Sequence, residues 1–358
     1  MASDLKRGFQ SLISAKVLTS VIGVLTLPLV VRVLGPDGYG DYAFLLSTFS
    51  MFMLLVSPAV TEGVQKFVAE DRAEPFWRER VVGFYLEIAT VLAILGGLLL
   101  AAVSVGGLVG RFFEPRFELL FLLLAVHVLT AQLGSFTRHA LLGLHKEHVS
   151  ESLGVLRKLV GVSVGLGLAL FGFGVAGFLT GHILAALLFA VVGGVVLRSE
   201  LDVGETLGVR LRSIPVRELL TFNAFNIVLV VMMQSLFHTD VLMLRTLVGS
   251  EGTGLYKAAL VLAEYIWLVP IALQRLMLHS ASSLWSRNER ARIQSLASRL
   301  TRYVFLTSTL LALGIFVLAD RFVPLYYGSS YAGSTLPLVL LLPGAVGFAL
   351  ARPLYGIN

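Results

Sequence analysis

Glu264 interrupts the apolar segment from Gly254 to Leu278, about ten residues from either end. At the centre of a lipid bilayer, a carboxylate costs about 2.5–3.5 kcal/mol of insertion free energy, so such a residue normally has a function or a partner. It can bind a coupling cation or face a cationic surface. It can equally form an ion pair or hydrogen bond that holds two helices together. The sequence leaves both interpretations of Glu264 open.

The apolar segment 218–244 carries a second set of polar residues. The three amides are spaced by three and eight residues, so one helix face can present all of them, either to a cavity or to a neighbouring helix. Asp240 lies five residues before Arg245, or about 7–8 Å along a helix, which allows an ion pair between them. A proton site at His238 and Asp240 is the alternative. The polar residues of this segment are Asn223, Asn226, Gln234, His238 and Asp240.

Five basic residues lie at or near the ends of apolar segments. Taken singly, such long side chains act as anchors, because they reach the membrane surface at little cost. Taken together, they can line a cationic vestibule, and a pyrophosphate suits it because guanidinium offers paired donors to phosphate oxygens. The five candidates are Lys16, Arg32, Arg245, Lys257 and Arg275.

Several other chemistries are not supported. His145 and His148, with Glu147, have metal-like spacing but no evident third ligand, so no metal site is predicted. The absence of Cys excludes disulfides, thiolate metal sites and a Cys nucleophile. The chain has no Gly-x4-Gly-Lys-Ser/Thr loop, which excludes ATP as the direct energy source. No cofactor is predicted. We interpret His127 and His182 as packing residues and Tyr42 as part of an interfacial aromatic belt.

The elements that position these residues are predicted to be membrane-spanning helices. Apolar residues make up 56% of the 358 residues and charged residues only 14%, against about a quarter in soluble proteins. The net charge of +6 does not indicate nucleic-acid binding, because basic residues interrupt apolar runs instead of clustering. A span needs about 20 apolar residues. We predict an all-α polytopic membrane protein with ten spans near 12–34, 42–65, 82–109, 117–141, 155–173, 176–197, 218–244, 255–279, 301–319 and 334–351.

The distribution of basic residues predicts the orientation. With the N-terminus in the cytoplasm, 22 of the 28 Lys and Arg residues lie on the cytoplasmic side. This bias follows the positive-inside rule. The first span has a basic flank but no small-residue cleavage site, so we interpret it as retained. The prediction is a multi-pass protein of the cytoplasmic membrane with both chain ends inside.

Two turns separated by 214 residues match. Gly35-Pro-Asp-Gly-Tyr-Gly-Asp-Tyr42 aligns with Gly249-Ser-Glu-Gly-Thr-Gly-Leu-Tyr256, and Pro58 and Pro270 follow inside the next spans. The match predicts two parallel repeats, with the prolines as hinges. Residues 1–213 would form an N-terminal lobe of six spans. Residues 214–358 would form a C-terminal lobe of four, lacking a last pair of about 70 residues. The alternative is two unrelated hairpins with glycine at their tips.

The segment Pro28-Leu-Val-Val-Arg-Val-Leu-Gly-Pro-Asp-Gly-Tyr-Gly-Asp-Tyr42 resembles the N-terminal signature of the polysaccharide biosynthesis (Wzx-type) flippases. These belong to the multidrug/oligosaccharidyl-lipid/polysaccharide exporter (MOP) superfamily. The segment from Pro58 to Glu70 resembles that family's second helix and first cytoplasmic loop, and Leu141 to His148 the loop between helices four and five. The resemblance implies two helical lobes around a cavity lined chiefly by helices one, two, seven and eight. It also implies transport of a polyprenyl-pyrophosphate-linked oligosaccharide to the outer leaflet, for the assembly of cell-surface glycans.

Three functions from two classes are therefore compared. The first is a flippase for a lipid-linked oligosaccharide, working as a monomer in the bilayer and driven by the membrane potential or a H⁺ or Na⁺ gradient through Glu264 or Asp240. The second is an ion-coupled multidrug antiporter, whose cavity would need acidic and aromatic residues. The third is a membrane glycan polymerase or transferase, which the short loops disfavour because they carry no paired carboxylates. We predict a transporter that is not an enzyme.

Overall fold

The computed structural model describes residues 2–208 and 215–353, and every regular element within these ranges is helical. The predicted linker 198–217 therefore lies partly outside the described residues. The helices are α1 (Ala2–Val56), α2 (Pro58–Ala69), α3 (Trp77–Val105), α4 (Leu108–Phe112), α5 (Arg116–Gly143), α6 (Glu147–Leu168), α7 (Gly174–Glu200), α8 (Val203–Leu207), α9 (Val216–Leu247), α10 (Gly249–Glu264), α11 (Leu268–Ser286), α12 (Arg290–Tyr327) and α13 (Thr335–Ala351).

Within the described residues, seven helical segments are long and apolar enough to cross a membrane. Two of them, Val17–Val56 and Glu147–Glu200, have 40 and 54 residues, about twice the length that one span needs. The prediction of an all-α polytopic membrane protein is confirmed, while the count of ten spans stays a prediction. The other five segments are Trp77–Val105, Arg116–Gly143, Gly249–Gln274, Arg290–Tyr327 and Ser329–Ala351.

Glycines interrupt the two longest segments where the sequence predicts turns. Gly35, at the turn between the first two predicted spans, has φ 68° within α1. Gly172, close to the boundary between the predicted spans 155–173 and 176–197, has φ 93° within a short π-helical turn between α6 and α7. Both φ angles are left-handed, a conformation that costs a residue with a Cβ roughly 1–2 kcal/mol.

The contacts divide the chain into two compact units. Unit 1 comprises Met1–Leu34 and Asp41–Leu247, and unit 2 comprises Gly35–Gly40 and Val248–Asn358. Helix α9 thus groups with unit 1, although the predicted lobe boundary lies before it, at residue 213. The division into lobes of six and four spans remains a prediction.

Unit 1 is built around α5. Helix α5 packs between α3 and α7, α6 packs on α7, and α2 contacts α3, α5 and α9. One apolar cluster joins α2, α3 and α5 around the buried residues Phe67, Tyr85 and Leu141. A second cluster joins the latter part of α1 to α5 around Leu45 and Leu124. These contacts fix the helices that carry the polar clusters described below.

Unit 2 contains a close contact between the two matching turns. Gly35 and Gly249, which the repeat pairs, have φ values of 68° and 75°. A Cβ on Gly40 would lie 1.9 Å from the Ser250 carbonyl oxygen, and one on Gly254 would lie 2.0 Å from that of Pro36. The backbones therefore approach so closely that only glycine fits at both positions.

Unit 2 also carries hydrogen bonds between side chains and helix backbones. The Tyr327 hydroxyl donates to the Ala258 carbonyl at 3.1 Å, and the Trp267 indole N–H donates to the Ala345 carbonyl at 2.8 Å. Each bond joins α12 or α13 to the α10–α11 region. Such bonds provide a partner for the Tyr hydroxyl and the Trp N–H, which would otherwise be buried without a hydrogen bond.

Candidate functional site

A charge-balanced cluster, here called the arginine–carboxylate cluster, surrounds Asp41 in unit 1. The Asp41 side chain is 1% exposed and contacts two arginines, Arg245 Nε at 3.1 Å from Oδ1 and Arg116 Nη2 at 2.8 Å from Oδ2. Arg116 also contacts the exposed Glu114 at 2.8 Å. The cluster is Arg245, Arg116, Asp41 and Glu114, so two positive charges meet two negative ones. It joins α1, α5 and α9.

Aromatic rings complete the surroundings of Arg245. Its Cζ atom lies 6.0 Å from the ring centroid of Phe44, 5.8 Å from that of Phe113 and 5.3 Å from that of Phe117. Cation–π contacts at these distances add to the ion pair. Arg245 was a predicted ligand of a transported anion, with Asp240 as a plausible partner. In the structure it binds Asp41, which no spacing argument singled out.

A second polar cluster, here called the histidine cluster, lies within unit 1 among α1, α5 and α7. The Tyr42 hydroxyl is 2.7 Å from His182 Nε2. The rings of His182 and His127 have centroids 5.7 Å apart, and Phe49 stacks on His127 at 4.3 Å. His127 is 6% exposed, and its Nδ1 has no hydrogen-bond partner among the described residues. The histidine cluster is Tyr42, His127 and His182.

Arg157 and Lys158 lie on α6, which packs on α7, the helix that carries His182. Both are exposed, and Arg157 also lies 5.8 Å from the Phe189 ring on α7. Among the described residues, no carboxylate pairs with either of them, whereas the nearby Arg138 binds Glu151. Arg157 and Lys158 lie near the start of the fifth predicted span, and His127 and His182 lie in the fourth and the sixth.

The remaining basic candidates lie on other helices. Arg32 is exposed on α1, and Lys257 is half-buried on α10 in unit 2. The side chains of Lys16 and Arg275 lie outside the described residues. Of the predicted basic ligands, Arg245 contacts a carboxylate of the chain itself.

The predicted acidic and polar candidates lie on α9 and α10. His238 Nδ1 is 3.4 Å from Ser47 Oγ, and Asp240 Oδ1 accepts a 2.8 Å hydrogen bond from the Val241 amide. Gln234 is half-buried, and the side chains of Asn223 and Asn226 lie outside the described residues. Glu264 is half-buried and ends α10. Its role, like those of the other predicted site residues, stays a prediction.

The two predicted hinge prolines each follow an interruption in the helical geometry. Pro58 begins α2 after a break at Ser57, whose amide still donates to the Met53 carbonyl at 2.8 Å. Pro270 lies in the first turn of α11, just after the 3₁₀ turn Tyr265–Trp267. Proline lacks the amide that the preceding helical turn would use, which explains both positions. Hinge motion at them stays a prediction.

An exposed ion pair ties the start of α9 to the loop after α2. Arg72 donates to Glu218 at 2.8 Å and to Glu70 at 2.8 Å. The hydrogen bond to Glu218, with that to Glu70, raises the pKa of the Arg72 guanidinium above its ordinary value. Arg72 therefore stays charged, and its role is structural.

The histidine cluster and the Arg157–Lys158 pair were missed by sequence reasoning. The two histidines were interpreted as packing residues, and the two basic residues were counted with a cytoplasmic loop. Tyr42, His127 and His182 are 55 or more positions apart, so no local pattern groups them. The available signal was three polar residues in three apolar spans.

Comparison with solved structures gives the fold. The chain is similar to an inward-facing conformation of a multidrug resistance MATE family transporter of the MOP superfamily, with TM-score 0.71 and 14% identity over 95% of this chain and 82% of that one. An outward-facing conformation of such a transporter gives TM-score 0.56 and 16% identity, over 98% and 83%. The chain thus has a MATE-like transporter fold.

A third solved structure comes from Pyrococcus furiosus. It is a MOP superfamily transporter described as having a binding pocket of reverse polarity that suggests a different function. Its TM-score is 0.58 at 15% identity, over 98% of this chain and 82% of that one. No curated protein sequence matches this chain closely enough to count as a relative.

The family is shown by a match over most of the sequence. The sequence pattern of the family described as "Polysaccharide biosynthesis protein" matches residues 5–271, about three quarters of the chain. This range covers both matching turns and all of the histidine cluster. The predicted resemblance is confirmed: this multi-pass membrane protein belongs to the polysaccharide biosynthesis protein family and has the fold of MOP superfamily transporters.

Proposed function

We propose that the protein is a flippase that moves a polyprenyl-pyrophosphate-linked oligosaccharide across the cytoplasmic membrane for the assembly of cell-surface glycans. Membership of the polysaccharide biosynthesis family and the MATE-like fold support an exporter of the MOP superfamily. The charged glycan head would cross through the protein, while the lipid tail stays in the bilayer.

The observation that carries the proposal is the basic group formed by Arg157, Lys158, His127 and His182. Arg157 and Lys158, near the start of the fifth predicted span, have no carboxylate partner among the described residues. Charged side chains within a span usually face a partner or a pathway. A pyrophosphate supplies the missing negative charge, and Arg suits it because it donates paired hydrogen bonds to phosphate oxygens.

A multidrug antiporter is the second candidate of the same superfamily. An organic cation would be repelled by Arg157 and Lys158, so the charge of this group favours an anion. The orientation with the N-terminus inside, the two-lobe organisation and action as a monomer belong to the proposal. The proposal also includes coupling of transport to an ion gradient through Glu264 or Asp240. It further includes a cationic vestibule that contains Lys16, Arg32, Lys257 and Arg275.

Reconstituted vesicles test the proposal. A labelled polyprenyl-pyrophosphate-linked oligosaccharide is placed in one leaflet, and its appearance in the other is followed with an added lectin. Replacing both residues, Arg157→Gln with Lys158→Gln, should slow transport at least about tenfold, because each charge-assisted hydrogen bond contributes about 1.5–3 kcal/mol. The matched control is Arg78→Gln, which removes an exposed charge from the same unit and should transport at the wild-type rate.

Two outcomes would contradict the proposal. Wild-type protein that moves a fluorescent organic cation but no lipid-linked glycan would identify a drug antiporter. Product formation from the labelled lipid by purified protein would revive the polymerase or transferase. Unchanged transport in the double variant would remove Arg157 and Lys158 from the pathway.

A further inference from the structure

The Nδ1 atom of His127 is buried, and the packing around it does not explain why a polar atom is there. The side chain is 6% exposed, and its Nδ1 has no hydrogen-bond partner among the described residues. A buried polar atom left unpaired costs roughly 1–3 kcal/mol, so natural proteins keep few of them without a function. An apolar residue of similar size would pack against Phe49 equally well. The Nδ1 atom of His127 is therefore a position at which a proton can bind.

His182 has a partner that can serve two protonation states. The Tyr42 hydroxyl, 2.7 Å from Nε2, can donate to a neutral Nε2 and can accept from a protonated one. Protonation of His182 therefore requires only that the hydroxyl rotate.

The surroundings of the pair make its protonation depend on a nearby anion. The Tyr42 hydroxyl on α1 lies 2.7 Å from His182, and α6, which carries Arg157 and Lys158, packs on α7, the helix of His182. Arg157 lies 5.8 Å from the Phe189 ring of that same helix, and none of these three groups is negatively charged. By Coulomb's law, a third positive charge beside two cations is unfavourable, and more so away from bulk water. A pyrophosphate diester bound to Arg157 and Lys158 brings two negative charges, which cancel the two positive ones and remove this penalty.

We propose that His127 and His182 form a proton-binding site that is filled when a pyrophosphate group occupies Arg157 and Lys158, so that proton and anion bind cooperatively. This inference rests on the proposed function and adds the site at which a proton accompanies the anion. Cooperativity is reciprocal, so a lower pH must strengthen anion binding to the same extent. The transported head would then carry part of its compensating charge with it.

The test is calorimetry of ligand binding to full-length protein in nanodiscs. The probe is a short-chain prenyl-pyrophosphate-linked sugar, a diester whose two phosphate groups both stay ionised near neutral pH. Titration in two buffers with different heats of ionisation gives the number of protons taken up per ligand. Wild type should take up about one proton, and its affinity should rise by up to about tenfold for each unit by which the pH falls.

Variants assign the proton to the pair. His182→Gln and His127→Gln should each lower proton uptake, and the double variant should bind the probe with no uptake and no pH dependence. His148→Gln is the matched control, because it removes an exposed histidine from the same unit, and it should behave as wild type. Thermal unfolding checks that each variant is folded. If a variant does not fold, the two-buffer measurement on wild type still tests the inference.

The outcomes separate this inference from the proposed function. Probe binding without proton uptake by wild type would overturn the inference and leave the flippase proposal standing. Unchanged uptake in a folded double variant would also overturn it. Absence of probe binding at every pH would overturn both.

Discussion

The arginine–carboxylate cluster and the histidine cluster with its two cations both lie in unit 1, and they differ in how their charges are balanced. In the first, Asp41 and Glu114 neutralise Arg245 and Arg116 within 3.1 Å. In the second, Arg157 and Lys158 lie on α6, which packs on the helix of His182, and they have no carboxylate partner among the described residues.

The difference separates structural charge from charge that is available to a ligand. The guanidinium of Arg245 is paired with Asp41 and covered by three aromatic rings, so it already binds groups of the protein itself. A cation without a protein partner keeps that capacity for an incoming anion. Sequence reasoning named Arg245 as a candidate ligand and missed Arg157 and Lys158, although all three are basic residues near the end of an apolar segment. The following predictions test whether the two clusters differ in this way.

The largest expected effect is on stability, from Asp41→Ala in the arginine–carboxylate cluster. Removing one member of a buried pair usually costs about 3–5 kcal/mol, because it leaves the other charge unpaired. Arg116 is half exposed and can turn to water, so we expect about 3 kcal/mol, at the lower end. Thermal unfolding in nanodiscs measures the loss. Asp41→Asn, which keeps the hydrogen-bond acceptor, should cost less. Equal stability of Asp41→Ala and wild type would show that this cluster is not structural.

A smaller effect is expected in the histidine cluster from Tyr42→Phe. The substitution removes one hydrogen bond to His182 and leaves the ring contacts in place, so it should cost about 1 kcal/mol. The same unfolding measurement applies. A loss as large as that of Asp41→Ala would mean that the histidine cluster is also a structural one, and the contrast between the two would fail.

The smallest effect is expected from Glu218→Gln, which breaks the exposed contact with Arg72. Exposed ion pairs gain little because water screens them, and Arg72 keeps Glu70 as a partner. Stability and transport should both equal those of wild type within error. A clear loss of transport would instead indicate that the tether between α9 and the loop after α2 takes part in the transport cycle.

The fold class was predictable from the sequence because its signals are local. Runs of about 20 apolar residues can satisfy their backbone hydrogen bonds in lipid only as helices. Gly35 and Gly172 mark turns because their backbones need positive φ, which each shows. The family was predictable from the 28–42 signature for the same reason, since its residues are contiguous.

The candidate site was predictable only in part. Glu264, Asp240 and the basic residues were chosen because a charge in an apolar run is costly, and that argument identifies unusual residues without pairing them. Spacing along α9 suggested Asp240 as a partner of Arg245, but α1 brings Asp41 to Arg245 across 204 positions. A one-dimensional pattern compares residues within a few turns of one helix and contains no information on which helices are neighbours.

The sequence by itself determined that this protein is a helical membrane protein of its family, because hydropathy, turn glycines and the signature depend on residues close together in the chain. The tertiary structure alone decided which charges are neutralised. It buried Asp41 between two arginines and gathered Tyr42, His127 and His182 beside Arg157 and Lys158. The physical reason is that electrostatic energy depends on distances in space and on exclusion of water, and both are set by how helices far apart in sequence pack together.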